Sequence, residues 1–294
     1  MQALPEGDTD WGAWIGRTEV AEDVIDPGRA RALHAALDLP GPAPGPGDPL
    51  PPLWHWLYFW RIAPAAALGP DGHPERGGFL PPIPLPRRMW AGSRVAFPRP
   101  LPVGGTARRQ STIADVRFRD GRSGRLAFVT VRHEISAGGK ICVTDEHDIV
   151  YRAPPAPGDA ARAGQPAPQQ APWQRRWQAD PVLLFRYSAL TFNGHRIHYD
   201  RPYATGVEGY PGLVVHGPLL ATLMVELARA QMAGTPITAF AFRAVQPVVD
   251  GVPFTVAGAP DADATSAELW VANADGSVAA KGRVEFAASG RPPV

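Results

Sequence analysis

The chain has little of three things that would direct it to a particular environment: cysteine, unbalanced charge and long apolar runs. Its one cysteine, Cys142, excludes an internal disulfide framework and a multi-cysteine metal site, which suits a reducing cytoplasm. With 29 basic and 28 acidic side chains the net charge is +1, so no overall field favours nucleic acid or an anionic membrane surface. The longest apolar stretch contains Glu226 and Arg229, and the N-terminus lacks a basic segment followed by an apolar one. We therefore expect a cytoplasmic protein that spans no membrane and binds no nucleic acid.

Proline and glycine, by contrast, are abundant, at 35 and 31 residues. The stretch 154–172 is rich in Ala, Pro and Gln and holds little that could pack, so it marks the best domain boundary in the chain. We predict an N-terminal half over 1–152, a linker over 153–172 and a C-terminal half over 173–294.

Both halves show the pattern of a helix followed by a series of strands. In the first half Asp26-Pro27 is a helix start, and in the second an apolar stripe around Leu223 predicts a helix with Thr222, Glu226 and Arg229 on its opposite, exposed face. Alternating segments separated by Asp-Gly or Gly-Gly pairs predict antiparallel strands. These strands are expected over 88–97, 108–119, 125–136, 140–151, 182–190, 237–249, 252–258, 266–273 and 277–287. We predict an α+β double hotdog, in which two halves lie side by side and each wraps an antiparallel sheet round its own helix.

Two neighbouring segments of the second half concentrate groups that can do chemistry. The segment Thr191–Asp200 holds Asn193, His195, His198 and Asp200, and Gly212–Pro218 opens the apolar helix. Free backbone N–H groups at a helix start stabilise an anionic oxygen. The pair of segments therefore predicts a base that faces an oxyanion hole.

The first of these segments resembles the loop Asp-x-Asn-Pro-Ile/Leu-His-x-Asp of the MaoC-like (R)-specific enoyl-CoA hydratases and aligns with it without a gap. In this alignment Asn193 stands at the family's catalytic Asp, His195 at its Asn and His198 at its catalytic His, while Asp200 matches directly. The segment is closer still to the branch that contains mesaconyl-C4-CoA hydratases and mitochondrial-type 3-hydroxyacyl thioester dehydratases. The resemblance extends over most of 173–250. The first half resembles the family's degenerate hotdog more loosely, chiefly through Pro86–Gly92.

The resemblance implies a carbon-oxygen lyase that interconverts an enoyl-CoA and its 3-hydroxyacyl-CoA, with neither a metal nor a redox cofactor. The acyl group it suggests is short, branched and dicarboxylic, as in mesaconyl-C4-CoA. A hotdog acyl-CoA thioesterase and a noncatalytic acyl-CoA binding subunit remain alternatives, and either a monomer or a homodimer of double-hotdog units is expected.

Hydration of a conjugated thioester needs a group that takes a proton from water and a donor that holds the enolate oxygen. A neutral imidazole suits the first task, so His198 is the predicted base. Gly217 is the predicted oxyanion donor, because Pro218 has no N–H and glycine allows close approach. Asn193 can orient water but cannot accept its proton. Either His198 carries the proton transfers alone, or Asp200 or Glu208 supplies a carboxylate.

Other side chains are candidates for binding the substrate, each with a plainer alternative. His195 could equally be structural, and His216 could cap the helix or pack against it. Arginines are candidates for CoA phosphates or a substrate carboxylate, although any one of them could be solvated: Arg87, Arg88, Arg94, Arg186 and Arg243. A metal site at His195-x-x-His198-x-Asp200 is disfavoured, since the sequence shows no second cluster of His and acidic residues.

Overall fold

The computed structural model describes residues 10–121, 124–153 and 164–288, which form ten strands and four α-helices. The helices are α1 Pro27–Ala36, α2 Pro181–Thr191, α3 Arg201–Gly206 and α4 Gly217–Gln231. The strands are β1 Thr18–Val24, β2 Arg87–Ala96, β3 Thr106–Gly121, β4 Gly124–Ala137, β5 Lys140–Arg152, β6 Trp173–Trp177, β7 Ile237–Ala244, β8 Phe254–Pro260, β9 Ser266–Ala272 and β10 Val278–Phe286. None of the helices in the described ranges is long and apolar enough to cross a membrane.

All ten strands belong to one antiparallel sheet in the order β1-β3-β4-β5-β2-β7-β10-β9-β8-β6. The first five strands in this order come from the first half and the last five from the second. The halves join where β2 pairs with β7, from Gly92 opposite Arg243 to Ala96 opposite Ala239. Only glycine fits at the start of this seam, because a Cβ on residue 92 would lie 2.2 Å from the carbonyl oxygen of Phe242.

Helix α4 packs on strands β6 to β10 and is buried on every side from Leu219 to Ala228, which corrects the prediction of one exposed face. Thr222 and Glu226, expected to face solvent, are 1% and 8% exposed. Their polar atoms are satisfied inside the protein: the Thr222 hydroxyl donates to the Pro218 carbonyl, and Glu226 accepts hydrogen bonds from Trp54 Nε1 at 2.9 Å and from Arg229 at 2.7 Å. A residue from the first half therefore covers the face that the sequence pattern assigned to water.

The segment 182–190 was predicted as a strand, and this is wrong: it forms helix α2. The side chain of Asp180 accepts a hydrogen bond from Leu183 N at 2.7 Å and Pro181 stands at the first helical position. The same Asp-Pro signal starts α1, where Asp26 accepts from Arg29 N at 3.0 Å as predicted. The apolar run Val182–Phe185 suits a strand as well as a helix, so the cap decides the outcome.

The predicted strands of the two meanders are otherwise confirmed, with one shortened. The strand expected over 237–249 ends at Ala244, because Val245 N and Gln246 N both donate to the carbonyl of Ala279 and Pro247 follows. The sequence pattern did not reveal β1 and β6, which form the two ends of the sheet. Of the predicted linker, residues 154–163 lie outside the described residues, so the domain boundaries stay a prediction.

Candidate active site

The segment with the predicted base leaves the end of α2 through a left-handed residue, Phe192, at φ 51°. Asn193 N then donates to the Ser188 carbonyl at 2.8 Å, and the Asn193 side-chain oxygen accepts from His195 N at 3.0 Å. A short 3-10 turn over Arg196–His198 follows. The Asn193 oxygen is thus committed to holding the loop, which leaves its NH₂ group as the part that can meet a ligand.

His198 lies at the end of this turn and is 7% exposed. Its Nδ1 is 2.7 Å from the carbonyl oxygen of Val214, which can only accept, so Nδ1 bears the hydrogen. The other ring nitrogen, Nε2, is therefore unprotonated in the neutral ring, and His198 lines the cavity described below. Burial lowers the pKa of His198 to about 4, so the ring is neutral at physiological pH.

His216 is fully buried and stacks on His198, with ring centroids 3.7 Å apart and planes at 17°. Its Nε2 is 2.8 Å from the Ser188 hydroxyl, and its side chain makes no capping hydrogen bond to α4. Burial, with the neighbouring His198, holds the pKa of His216 well below its usual range. Of the roles expected for His216, packing is the one that these contacts describe, since the side chain lies outside the lining of the cavity.

Helix α4 begins at Gly217, directly after His216, with Pro218 in its first turn. Within the described part of the chain nothing accepts the N–H of Gly217, which the helix geometry leaves free. A Cβ at this position would lie 3.2 Å from Trp90 and 3.9 Å from Phe242, so the peptide is approached closely by two aromatic rings. Gly217 and His198 line the same cavity and are linked through the stacked ring of His216.

This cavity has a volume of about 2420 Å³ and is lined by both halves. From the second half it receives Asn193, His195, His198 and Gly217, and from the first half Asp71 and His73 together with part of β2.

Asp71 and His73 come from a loop of the first half that docks against the motif segment. Arg196 N donates to the Asp71 carbonyl at 2.9 Å, and Gly72, at φ 85°, passes so close to Gly194 that a Cβ would lie 1.9 Å from its carbonyl oxygen. The His73 ring lies 4.3 Å from the His195 ring, centroid to centroid. The sequence pattern does not reveal this contribution. Pro70-Asp-Gly-His-Pro74 reads as a turn, and only the polar residues within it hinted at more.

The His73 and His195 imidazoles are uncharged in this setting. Burial and the neighbouring His73 lower the pKa of His195 to about 2, and burial also lowers the pKa of His73. Burial by itself would raise the pKa of Asp71. Hydrogen bonds that His73 donates, one of them from Nδ1 to Oδ2 of Asp71 at 3.0 Å, instead bring the pKa of Asp71 below its usual range. Asp71, His73 and His195 offer ligand atoms within 4.8 Å of one another, a set that Zn²⁺ or Fe²⁺ could accept in kind. No local pattern indicates this triad, because His195 lies more than a hundred residues from Asp71 and His73 along the chain.

The other predicted binding residues are placed less favourably. Asp200 accepts from Arg196 at 2.7 Å and from Tyr203 N at 3.1 Å, so it caps α3 and holds the turn rather than the cavity. Arg186 is exposed on α2, outside the cavity lining. Arg243 is exposed on β7 and does line the cavity, at the seam opposite Gly92.

Known proteins share both the sequence and this architecture. A family model described as "Hydroxyacyl-thioester dehydratase type 2" matches residues 53–250. The mesaconyl-C(4)-CoA hydratase of Chloroflexus aurantiacus is 51% identical over 277 residues, which cover 94% of this chain and 98% of that protein. The chain belongs to the hydroxyacyl-thioester dehydratase type 2 family. The matched range includes the docking loop, β2 and the whole candidate site, and the family resemblance read from the motif is confirmed.

Solved structures confirm the fold of this dehydratase family member. A MaoC-like dehydratase from Phytophthora capsici superposes with a TM-score of 0.66 at 14% identity, over 92% of this chain and 95% of that one. A Mycobacterium tuberculosis protein described as having a double hotdog fold superposes with a TM-score of 0.58 at 13% identity, over 92% and 96% of the two chains. These structures confirm the α+β double hotdog prediction. The family match and the 51% identical hydratase confirm the prediction of a hydro-lyase of the hydratase and dehydratase type.

Proposed function

We propose that this enzyme hydrates mesaconyl-C4-CoA reversibly to the corresponding 3-hydroxyacyl-CoA, with neither a metal nor a redox cofactor. The observation that carries the proposal is the neutral His198. Its Nδ1 is hydrogen bonded to the Val214 carbonyl, which leaves Nε2 as the basic nitrogen, and His198 lines the same cavity as Gly217 with its free N–H. The 51% identity to the Chloroflexus aurantiacus hydratase over nearly the whole of both chains supports the choice of substrate.

In this mechanism the thioester oxygen accepts a hydrogen bond from Gly217 N–H at the positive end of α4. A water molecule accepts from the Asn193 NH₂ group and donates to His198 Nε2. Those two contacts direct a lone pair of the water oxygen at the β-carbon. As the water oxygen bonds to the β-carbon, Nε2 takes the water proton and the π electrons of the alkene move through the α-carbon to give an enolate on the thioester oxygen. The imidazolium then protonates the α-carbon.

The low pKa of His198 is compatible with this role, because charge develops beside it during the reaction. The enolate oxygen becomes negative at the helix start adjoining His216, and a nearby negative charge raises the pKa of an imidazole. The alternative of a separate carboxylate base finds less support. Asp200 is occupied by Arg196, and Glu208 forms an ion pair with Arg87 at 3.2 Å. His198 is therefore assigned both proton transfers.

The experiment is to follow loss of the conjugated chromophore with mesaconyl-C4-CoA, crotonyl-CoA and longer enoyl-CoAs, with and without prior chelation. The proposal expects turnover of mesaconyl-C4-CoA that survives chelation. Release of free thiol would instead indicate a thioesterase, and ligand binding with no turnover of any enoyl-CoA would indicate a binding subunit. Loss of activity on chelation, restored by Zn²⁺ or Fe²⁺, would contradict the metal-free reading and point to the Asp71, His73 and His195 triad.

The proposal also covers the compartment and the assembly of the enzyme. Cys142 is free and buried in β5, as suits a reducing compartment, so we place the activity in the cytoplasm. A double hotdog already pairs two halves within one chain, and a monomer or a homodimer of such units is the expected assembly.

A further inference from the structure

Arg88, on β2, is a half-buried cation in the cavity that lacks a carboxylate partner among the residues that the structure describes. Two neighbouring arginines, Arg87 and Arg76, are satisfied in contrast. Arg87 pairs with Glu208 at 3.2 Å, and Arg76 donates to the backbone carbonyls of Ile83 at 2.9 Å and Leu85 at 2.6 Å. Arg88 thus differs from Arg87 and Arg76 in having its charge available to a ligand.

The position of Arg88 places this charge beside the proposed reaction site. Side chains two residues apart on a strand point to the same face, about 7 Å apart, so Arg88 shares a face with Trp90. Trp90 is the ring that lies closest to the Gly217 position. In the pairing of β2 with β5, Arg88 lies opposite Tyr151, whose buried hydroxyl is a neutral neighbour.

The electrostatics of the imidazoles agree with this placement. The positive charge of Arg88 contributes to lowering the pKa of both His73 and His195, although burial is the main cause in each case. The carboxylate of Asp71 is already hydrogen bonded by His73 through both its oxygens. This corner of the cavity is therefore suited to an incoming anion more than to a cation, since a half-buried guanidinium without a counter-ion carries a desolvation cost that an anion relieves.

We propose that Arg88 binds the free carboxylate of a dicarboxylic acyl-CoA and so selects this substrate class over neutral enoyl-CoAs. This inference rests on the proposed function. In mesaconyl-C4-CoA only the two alkene carbons separate the carboxylate from the thioester carbonyl. When that carbonyl is bound at Gly217, the carboxylate is within reach of Arg88, which lies two residues from Trp90 on the same face of β2. A guanidinium can hold such a carboxylate through two parallel hydrogen bonds. Arg243 and Arg186, expected from sequence, are exposed and lack this enclosure.

The test separates substrate selection from turnover by measuring binding of two unreactive acyl-CoAs, succinyl-CoA, which has a terminal carboxylate, and butyryl-CoA, which does not. Arg88→Met is expected to weaken succinyl-CoA binding by about 10²-fold, the size of one charge-assisted bidentate contact, and to change butyryl-CoA binding by less than about threefold. Arg88→Lys should fall between wild type and Arg88→Met. Arg61→Met is the matched control, because it removes the same charge from an exposed position of the same cavity.

The outcomes distinguish this inference from the proposed function. Equal weakening for both acyl-CoAs in Arg88→Met, or no weakening in either, would overturn the role of Arg88 whatever the enzyme turns over. If the wild type fails to hydrate mesaconyl-C4-CoA yet prefers succinyl-CoA through Arg88, the reaction assignment fails while the carboxylate site stands. Thermal melting of each variant guards against misfolding, and Arg88→Gln, which keeps a neutral donor of similar length, replaces Arg88→Met if the latter melts early.

Discussion

Replacing His198 by Asn isolates the chemistry of one ring nitrogen from the packing of the whole side chain. The Asn side-chain nitrogen stands close to where Nδ1 stands in histidine, so it can still donate to the Val214 carbonyl, a bond of 2.7 Å in the wild type. The basic Nε2, however, is lost. His198→Ala would be less informative, because it also leaves that buried carbonyl unsatisfied, at a cost of about 1–3 kcal/mol.

The expected loss follows from the task that is removed. General base catalysis by a positioned imidazole contributes about 10²–10⁴-fold in rate, which corresponds to about 3–5 kcal/mol of transition-state stabilisation. We therefore expect kcat/KM of His198→Asn on mesaconyl-C4-CoA to fall by at least 10²-fold, with binding of butyryl-CoA little changed. The assay is the loss of the enoyl chromophore, with the variant's melting temperature measured alongside.

A matched control is His34→Asn, the same substitution on α1, where the histidine is half-buried and outside the cavity lining. It should retain wild-type activity. The reasoning fails if a folded His198→Asn enzyme keeps more than about a tenth of the wild-type kcat/KM, because a proton route without Nε2 would then have to exist.

Three further predictions test the neighbouring parts of the site. Gly217→Ala places a Cβ 3.2 Å from Trp90 and should lower kcat by about tenfold or more as the oxyanion donor shifts, measured in the same assay; unchanged kcat would argue against Gly217 as the donor. Gly72 has φ 85°, and a Cβ there would lie 1.9 Å from the Gly194 carbonyl oxygen. Gly72→Ala should therefore displace the docking loop, lower the melting temperature and raise KM for mesaconyl-C4-CoA. The control Gly206→Ala, whose Cβ meets no atom within 4 Å, should change neither. Folding lowers the pKa of His198 from 6.5 to about 4, so the unfolded chain binds this proton first as the pH falls. The stability that depends on the neutral ring is therefore complete above pH 6.5, and about 3 kcal/mol of it is lost as the pH falls towards 4. Denaturant titrations at several pH values can check this loss.

Asn193 is where the site departs from the family's loop, which has a catalytic Asp at this position. An Asp at this position could take a proton, whereas the amide cannot. Its oxygen accepts from His195 N. In the proposed mechanism its NH₂ group donates to a water molecule that itself donates to His198. A donor and an acceptor on the same water would fix its orientation, which the proposed mechanism requires because it assigns both proton transfers to His198.

Local signals in the sequence were sufficient for much of this protein. The Asp-Pro start of α1, the alternation along β10 and the paired glycines Gly138-Gly139, both at positive φ, predict elements that the structure contains. They succeed because caps, turns and a period of two are properties of a few adjacent residues. The motif 191–200 likewise indicated the reaction class, since chain neighbours such as His198 and Asn193 must lie close together in any fold.

Tertiary structure alone decided what is brought to those residues from elsewhere. Nothing near Asp71 or His73 in the chain indicates that a docking loop carries them to a cavity opened by a helix more than a hundred residues away. Arg88 was one of five candidate arginines, but its sequence neighbours do not show that β2 brings it to the same cavity. The same cause underlies the error over Glu226, because the amphipathic pattern of α4 cannot show that Trp54 from the other half covers its polar face. The sequence by itself thus identified the groups that we propose perform the chemistry. The meeting of two halves across one sheet determined which charges surround them, because electrostatic contacts depend on distance in space rather than along the chain.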